Sequence, residues 1–440
     1  MRTVRLSLVV MVALTTVSIA SDTLADAFAN GKVSGQIRTF YIDRTYDGVL
    51  QNNRNSLATG GSMGFVTAPL EGFSLGAKFY TTNGINIHGS NRTSVDYDPS
   101  LYGRNFDSYS MIGEGYINYK NGNTNVKIGR QKLNTPLAGA DDARMLPNLF
   151  EAVVVSNVDI EDTSLVLAHI TKESVGTFGN VYGTPSQLSL QSGYGLGYQL
   201  GGSGRFADMG DIALGSGSDT DGVSVASAIY KGIPNLKLQV WDYFAHDILN
   251  AVYLQADYGW NCLMNFNIKM KASAQYINQS DIGDKLAGEV DSNFMGAKLG
   301  AGYQGLSGYI AYSSTDSSSI AQANGGILTP WGGMPAFTQG MVTRHMFFAD
   351  TDATKVALSY NFKEMGADVK ASLYHASFDI GANNSYKNGQ DWTAKESGFD
   401  IQYNPAGIKN LNLRLRANYP MDFAPDLDWS EYRIIANYNF

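Results

Sequence analysis

Glu431-Tyr432-Arg433-Ile434-Ile435-Ala436-Asn437-Tyr438-Asn439-Phe440 is the last stretch of the chain. Tyr432, Ile434, Ala436, Tyr438 and Phe440 alternate with Glu431, Arg433, Asn437 and Asn439, the period of two that sends successive side chains to opposite faces of a strand. The same pattern stands just before it, where Leu411, Leu413, Leu415, Ala417 and Tyr419 alternate with Asn412, Arg414, Arg416 and Asn418. It recurs over residues 265–277, where Phe266, Ile268, Met270, Ala272, Ala274 and Tyr276 alternate with Asn265, Asn267, Lys269, Lys271, Ser273 and Gln275. In each segment one face is apolar with aromatic ends and the other is polar and often basic.

Two architectures give this alternation. A soluble sandwich buries its apolar face in a core; a membrane barrel turns that face to lipid and its polar face to a watery lumen. Aromatics cluster at strand ends, as at Phe73, Phe79, Tyr109, Tyr119, Tyr419 and Tyr438, in the manner of interfacial girdles. Short and long connections also alternate. The terminal strand with Tyr438 and Phe440 resembles the assembly signal of outer-membrane barrels. The expected fold class is therefore all-β: a transmembrane antiparallel β-barrel of about eighteen strands, with short periplasmic turns and long extracellular loops.

The strands are expected near 33–43, 57–68, 73–83, 108–119, 124–130, 150–158, 163–171, 223–230, 236–244, 250–258, 265–277, 292–302, 306–314, 353–362, 367–377, 397–404, 411–419 and 431–440. Long loops then fall at 84–107, 131–149, 172–222, 315–352 and 378–396. Residues 194–200 read either as an extra short strand or as part of a Gly-rich loop. An even strand count is what closure without free edges requires.

Composition agrees. Only 16% of the 440 residues are charged, while Gly, Tyr and Phe number 48, 26 and 20. The formal charge of −8 and pI near 5.2 argue against a nucleic-acid binder, and the mean hydropathy of −0.17 excludes a bundle of membrane helices. The single cysteine, Cys262, excludes an intrachain disulfide and any multi-cysteine metal site. At the other end, Arg2 and Arg5 precede an apolar stretch over 6–20 and small residues over 21–29, the order of a secretory signal peptide. Cleavage is expected after Ala25, with Ala20 and Ala27 as alternatives. The mature chain, 26–440, then carries 30 basic and 39 acidic side chains, a charge of −9.

On the lumen phase lie Arg38, Lys78, Lys127, Lys269, Lys271, Lys298, Lys355, Lys370, Arg414, Arg416 and Arg433, with Glu114 as the acidic exception. Acidity is assigned to loops and turns, for example Asp96, Asp98, Asp141, Asp142, Asp208, Asp211, Asp219 and Asp221. A one-residue slip would turn Arg414, Arg416 and Arg433 toward lipid at a cost on the order of 6–12 kcal/mol. Arg130 falls on the lipid phase and is expected at the rim. These cations read either as an ordinary solvated wall or as a track for carboxylate solutes. Arg414 and Arg416, about 7 Å apart on one face, support the track, and Arg433 can stand beside them.

Several motifs are similar to the OprD-type family of substrate-specific outer-membrane porins. Ala25-Asp26-Ala27-Phe28 resembles its processing site, and Ile37-Arg38-Thr39-Phe40-Tyr41-Ile42-Asp43-Arg44 its first strand. Lys127-Ile128-Gly129-Arg130-Gln131, Thr135-Pro136 and Arg144-Met145-Leu146-Pro147 resemble its strand into the third loop. Leu413-Arg414-Leu415-Arg416 with Glu431-Tyr432-Arg433-Ile434-Ile435 resembles its closing pair. The resemblance implies an inward-folded third loop and a basic ladder selective for small carboxylate-bearing solutes. Arg414, Arg416 and Arg433 would be ladder members, with Arg38, Lys127, Lys269 and Lys271 as further candidates. The stretch 131–149, with Asp141, Asp142 and Arg144, would be the constriction. The Asp141–Asp142 pair departs from the pattern and leaves open a solute with a positive end.

The expectation is a non-enzymatic channel without cofactor or metal. Its partners would be small hydrophilic solutes, outer-membrane lipid and lipopolysaccharide, and the barrel assembly machinery, with monomer and homotrimer both open. It would reside in the outer membrane of a Gram-negative bacterium. A general diffusion porin, or a structural or adhesive protein using loops 172–222 and 315–352, is the alternative. His88, His169, His246, His345 and His375 show no ligand spacing, and only His375 near Ser372 or Ser377 offers a hydrolase pair. Gly193–Gly197 lacks a nucleotide-loop context, Asp219–Gly222 is a partial calcium loop, and Asn91–Thr93 is a formal glycosylation sequon.

Overall fold

The alternating segments pair edge to edge until the last strand meets the first. In the computed structural model, which describes residues 21–48, 52–87, 96–103, 106–181, 203–264 and 267–440, nineteen strands form one sheet. They are β1 (Lys32–Tyr46), β2 (Arg54–Val66), β3 (Phe73–Ile85), β4 (Tyr109–Asn121), β5 (Thr124–Gln131), β6 (Leu149–Asn157), β7 (Thr163–Ser174), β8 (Ala207–Asp208), β9 (Val223–Tyr230) and β10 (Leu236–Ala245). There follow β11 (Leu249–Asn261), β12 (Lys269–Ser280), β13 (Asp291–Tyr303), β14 (Leu306–Thr315), β15 (Thr351–Asn361), β16 (Val369–Ile380), β17 (Trp392–Tyr403), β18 (Leu411–Met421) and β19 (Trp429–Asn439). Eighteen make the wall. β8 is a two-residue fragment beside the end of β7, which pairs lower down with β9.

Every neighbouring pair is antiparallel, and β1 pairs with both β2 and β19, so the barrel closes and no wall edge is left open. At the seam Gly35 and Phe440 exchange backbone hydrogen bonds of 2.9 and 3.0 Å. All eighteen expected strands are present. The largest shifts are at β17, which begins five residues earlier than expected and shortens its loop to 381–391, and at β12, which begins at Lys269. The apolar segment at 392–396 is interrupted by Lys395 and Glu396, which hid the strand's first turn. The signal-peptide stretch 1–20, His88, the sequon 91–93, residues 194–200 and Phe266 lie outside the described residues.

Alternation sets the two faces. Ile434 is 58% exposed on the outside, while Arg433 beside it is 1% exposed inside, which fixes the register of the closing strand. Aromatic pairs mark the periplasmic rim: Phe73–Tyr119, Tyr360–Phe362 and Tyr438–Phe440, with ring centroids 4.5, 4.7 and 6.5 Å apart. No helix among the described residues is long and apolar enough to cross a membrane.

Three loops turn inward and fill much of the interior. The third, between β5 and β6, crosses the lumen, as the family resemblance implied. The second contributes a short turn, Pro99–Leu101, whose Ser100 and Leu101 are buried. The loop between β14 and β15 also enters, and it carries most of the central core, with Ile327, Trp331, Met346 and Phe347 among its buried residues. Expecting 315–352 to be an external surface is therefore corrected. Its Ile327, Leu328, Trp331 and Met346 are too apolar for water, and the lumen is the nearest place that buries them.

Candidate functional site

β17, β18, β19 and β1 present the basic wall. Arg414 and Arg416 point inward from β18, Arg433 from β19, and Arg38 and Arg44 from β1. Across the ladder Arg416 faces Arg433 on one side and Asp400 on the other. Asp400 takes both neighbours: Arg414 forks onto its two oxygens, and Arg416 approaches at 3.4 Å. Arg414 and Arg416 keep 30% and 16% of their side-chain surface accessible.

Glu431 is the hub of this wall. Its buried carboxylate accepts from Arg44 at 2.6 Å, Arg433 at 2.5 Å and Arg144 of the third loop at 3.1 Å. Arg433 also donates to Asn418. Arg44 meets Asp98 at 3.4 Å, and Arg144 donates to Ser100 at 3.0 Å, so the second and third loops dock on one carboxylate cluster. The structure therefore gives Arg433 to a buried clamp, and only Arg414 and Arg416 face open lumen on these two strands.

Across the third loop Arg38 donates to Asp142 at 2.7 Å and to the carbonyls of Arg144 and Met145. Lys132 reaches the other Asp142 oxygen at 2.8 Å. Burial alone would raise the Asp142 pKa, but the Arg38 and Lys132 charges outweigh it and hold the carboxyl down at about 2. Asp141 points the other way, bidentate to Arg344 of the β14–β15 loop at 2.9 and 3.1 Å. Its left-handed backbone, with φ of 35°, lets adjacent carboxylates face opposite sides. The adjacent acids are thus split, and each is neutralised.

That loop is fastened strand by strand. Gln279 exchanges two hydrogen bonds with Leu328, at 2.8 and 2.7 Å. Gln275 binds the Pro335 carbonyl at 2.5 Å and the Phe337 amide at 3.0 Å. Lys355 donates to the Gln339 carbonyl at 2.5 Å. Glu396 accepts the successive amides of Met341, Val342 and Thr343 at 2.5, 3.1 and 2.7 Å. Third loop and β14–β15 loop meet where Ala138 bridges to Gly332 and the Gly139 amide donates to the Trp331 carbonyl at 2.9 Å.

Between these loops and the wall β9–β11, on the far side of the barrel from the arginines, lies a cavity of about 440 Å³. Gln239, Gln255, Trp241 and Tyr253 line it with Asp141 and Arg344, whose charges cancel. Lysines elsewhere on the lumen phase lie over aromatic rings: Lys127 over Tyr116 at 4.0 Å, Lys298 over Phe337 at 4.1 Å and Lys355 over Tyr374 at 4.6 Å. Lys271 pairs with Asp257 at 3.0 Å, and Lys269 is exposed at the periplasmic end of β12.

The expectation that Glu114 is the acidic exception of the lumen is corrected. Asp257, Glu396, Asp400 and Glu431 also face inward, and Asp98, Asp141 and Asp142 are carried in by the loops. Glu431 stands two residues before Arg433 in the alternating pattern and was legible there. Asp98 and Arg344 were not, because only loop conformation brings them to the wall.

The model of the outer membrane porin family OprD matches residues 26–440. The chain belongs to the OprD family of outer-membrane porins. This membership places it in the outer membrane of a Gram-negative bacterium. Its family and structural neighbours are channels rather than enzymes. OpdK of Pseudomonas aeruginosa, solved with vanillate, superposes with a TM-score of 0.74 at 16% identity, covering 94% of this chain and 99% of that one. OccK9 (OpdG) of the same organism gives 0.76 at 19%, and OccK5 (OpdH) 0.72 at 15%, each with the same coverage. At these identities the likeness of this OprD-family porin to its neighbours is one of fold. Comparison with curated proteins returns no match.

Proposed function

We propose that this porin passes small carboxylate-bearing solutes, anionic or zwitterionic, which Arg414 and Arg416 receive at the lumen wall. One observation carries the reading. On β17–β1 and the docked loops, six arginines (Arg38, Arg44, Arg144, Arg414, Arg416, Arg433) meet four carboxylates (Asp98, Asp142, Asp400, Glu431), a fifth, Glu396, is buried against loop amides, and the two accessible arginines share Asp400 alone. The surplus positive charge therefore faces the open lumen. Each cation–carboxylate contact is worth about 1–4 kcal/mol between water-like and protein-like screening, enough to gather a solute and weak enough to release it.

The opposite wall supplies amides and aromatic rings with no net charge, a surface for the uncharged part of a solute. Lys127, in the middle of β5, extends the basic surface beyond this wall, and Arg38 holds the third loop through Asp142. Arg144, Asp141 and Asp142 set the constriction by fixing the third loop. Residues 1–25 are the export signal in this reading, and Tyr438 with Phe440 the element read during assembly.

The test is uptake by liposomes holding the purified porin, across carboxylates, amino acids and sugars. The Arg414→Ala, Arg416→Ala double variant is expected to lose about tenfold in carboxylate flux, with sugar flux unchanged or higher. Equal loss for sugars and carboxylates, or no loss, refutes selective recognition by this wall and leaves general diffusion.

A further inference from the structure

Strand cations in this barrel point inward, with three exceptions on the outer phase: Arg130, Lys172 and Lys395. Two of the three are neighbours. Arg130 on β5 faces Glu151 on β6, and Glu151 faces Lys172 on β7, so the three form one row across three adjacent strands. The row sits at the extracellular ends of β5 and β7, since both strands run outward from periplasmic turns. Two residues below it the same outer wall is aliphatic at Ile128 and Val153, which are 51% and 39% exposed. The cations therefore lie at the upper border of the lipid-facing band.

Their pairing is loose. Arg130 Nε is 3.5 Å from Glu151, and Lys172 Nζ is 3.7 Å from it, against about 2.7–2.9 Å for a tight charge-assisted bond. Side-chain exposures of 45% and 47% leave both heads accessible. Arg130 is held in place by lying over the Phe206 ring, 4.3 Å from its centroid. Next to Lys172, on β8, stands Asp208, whose Oδ1 accepts the amides of Gly210 and Thr220; below it Ser224 of β9 joins His169 and His246 at 3.1 and 3.0 Å. Arg130 and Lys172 share Glu151 loosely, and Asp208 beside Lys172 is turned to loop amides, so two accessible cations at the border of the lipid-facing band suit a doubly charged ligand anchored in lipid.

We propose that the Arg130–Glu151–Lys172 row is a docking site for the phosphate of an acylated sugar headgroup in the outer leaflet. Arg130 and Lys172 bind the phosphate oxygens from either side, the acyl chains run down past Ile128, Val153 and Leu167, and Glu151 competes with the phosphate for the same cations. A site of this kind fixes the barrel's lipid neighbours on the β5–β7 face and leaves the lumen chemistry independent.

The experiment is native mass spectrometry of the full porin in detergent, titrated with bis-phosphorylated lipid A, with lipid A stripped of phosphate, and with inorganic phosphate. Folding of each variant is checked by its heat-modifiable band on gels and by unchanged single-channel conductance. Arg130→Gln with Lys172→Gln is expected to weaken lipid A retention about thirtyfold, and the stripped lipid to bind no better to the parent than to this variant. Glu151→Gln is expected to tighten retention several-fold, because it removes the competitor; a purely structural trio would give the opposite sign. Parental retention in the double variant, or weaker retention in Glu151→Gln, overturns the site. Inorganic phosphate binding as tightly as lipid A overturns the lipid assignment.

Discussion

Replacing Glu431 by Gln keeps the shape of the hub and removes its charge. Three buried guanidinium groups, those of Arg44, Arg144 and Arg433, then face an amide that offers one acceptor oxygen in place of two anionic ones. Breaking a buried ion pair by removing one partner costs about 3–5 kcal/mol. Arg44 and Arg433 are fixed on the wall and cannot leave. Arg144 sits on a loop and can, so the strain is relieved by undocking the third loop. If the whole penalty falls on that equilibrium, the undocked fraction rises by about two to three and a half powers of ten. The anchors that remain, Arg38 donating to Asp142 and the amides of Met145 and Leu146 donating to the Thr177 hydroxyl oxygen, keep the loop docked most of the time.

The expected outcome in planar bilayers is a folded porin with larger mean conductance and added open-channel noise. Arg144→Met in the same background should suppress much of the effect, since the surplus cation is gone; the two changes are coupled and must be strongly non-additive. A Glu431→Gln porin with parental conductance and noise, or simple additivity with Arg144→Met, would refute the clamp.

Other outcomes follow from the same geometry. Arg344→Gln frees Asp141 and unlatches the third loop from the β14–β15 loop; noise and cation selectivity should both rise, read as a shift in reversal potential under a salt gradient. Asp142, held at about 2 against an ordinary 3.8, contributes to loop anchoring above the carboxylate range and loses that contribution as pH falls through about 2. Conductance should therefore be constant from pH 7 to 4 on this account and rise only below about 3, and Asp142→Asn should show the acid behaviour at neutral pH. Burial holds His345 neutral, with its pKa down at about 4, so the aromatic cap formed with Phe348, Tyr386 and Phe423 loosens progressively as pH falls from about 6.5 toward 4. Hydrogen exchange of residues 341–349 should rise over that interval and stay flat in His345→Phe. Deleting Phe440 should lower the heat-modifiable fraction in cells, and unchanged assembly would remove its role as a signal.

Eighteen wall strands, their phase and their closure were legible because alternation is a local signal: each strand declares its lipid face within about ten residues. Arg414, Arg416 and Arg38 were placed inward for the same reason. Charge balance was not legible. The rule that loops are acidic and the lumen basic followed from composition, yet Asp98, Asp141 and Asp142 return to the lumen on their loops and meet Arg44, Arg344 and Arg38. These partners are 54, 203 and 104 residues apart in the chain, so no periodicity joins them.

The sequence by itself determined a barrel with an apolar outside and an arginine-bearing inside, because the alternation of apolar and polar side chains fixes strand register and the cost of turning Arg414, Arg416 and Arg433 into lipid reinforces it on the closing strands. Only the tertiary structure decided which cations remain open to a solute. Arg433 and Arg44 are consumed by Glu431 and the docked loops, while Arg414 and Arg416 keep access and share one carboxylate. That choice depends on where three loops settle, and loop docking is governed by long-range pairing and by apolar residues seeking burial, neither of which repeats along the chain.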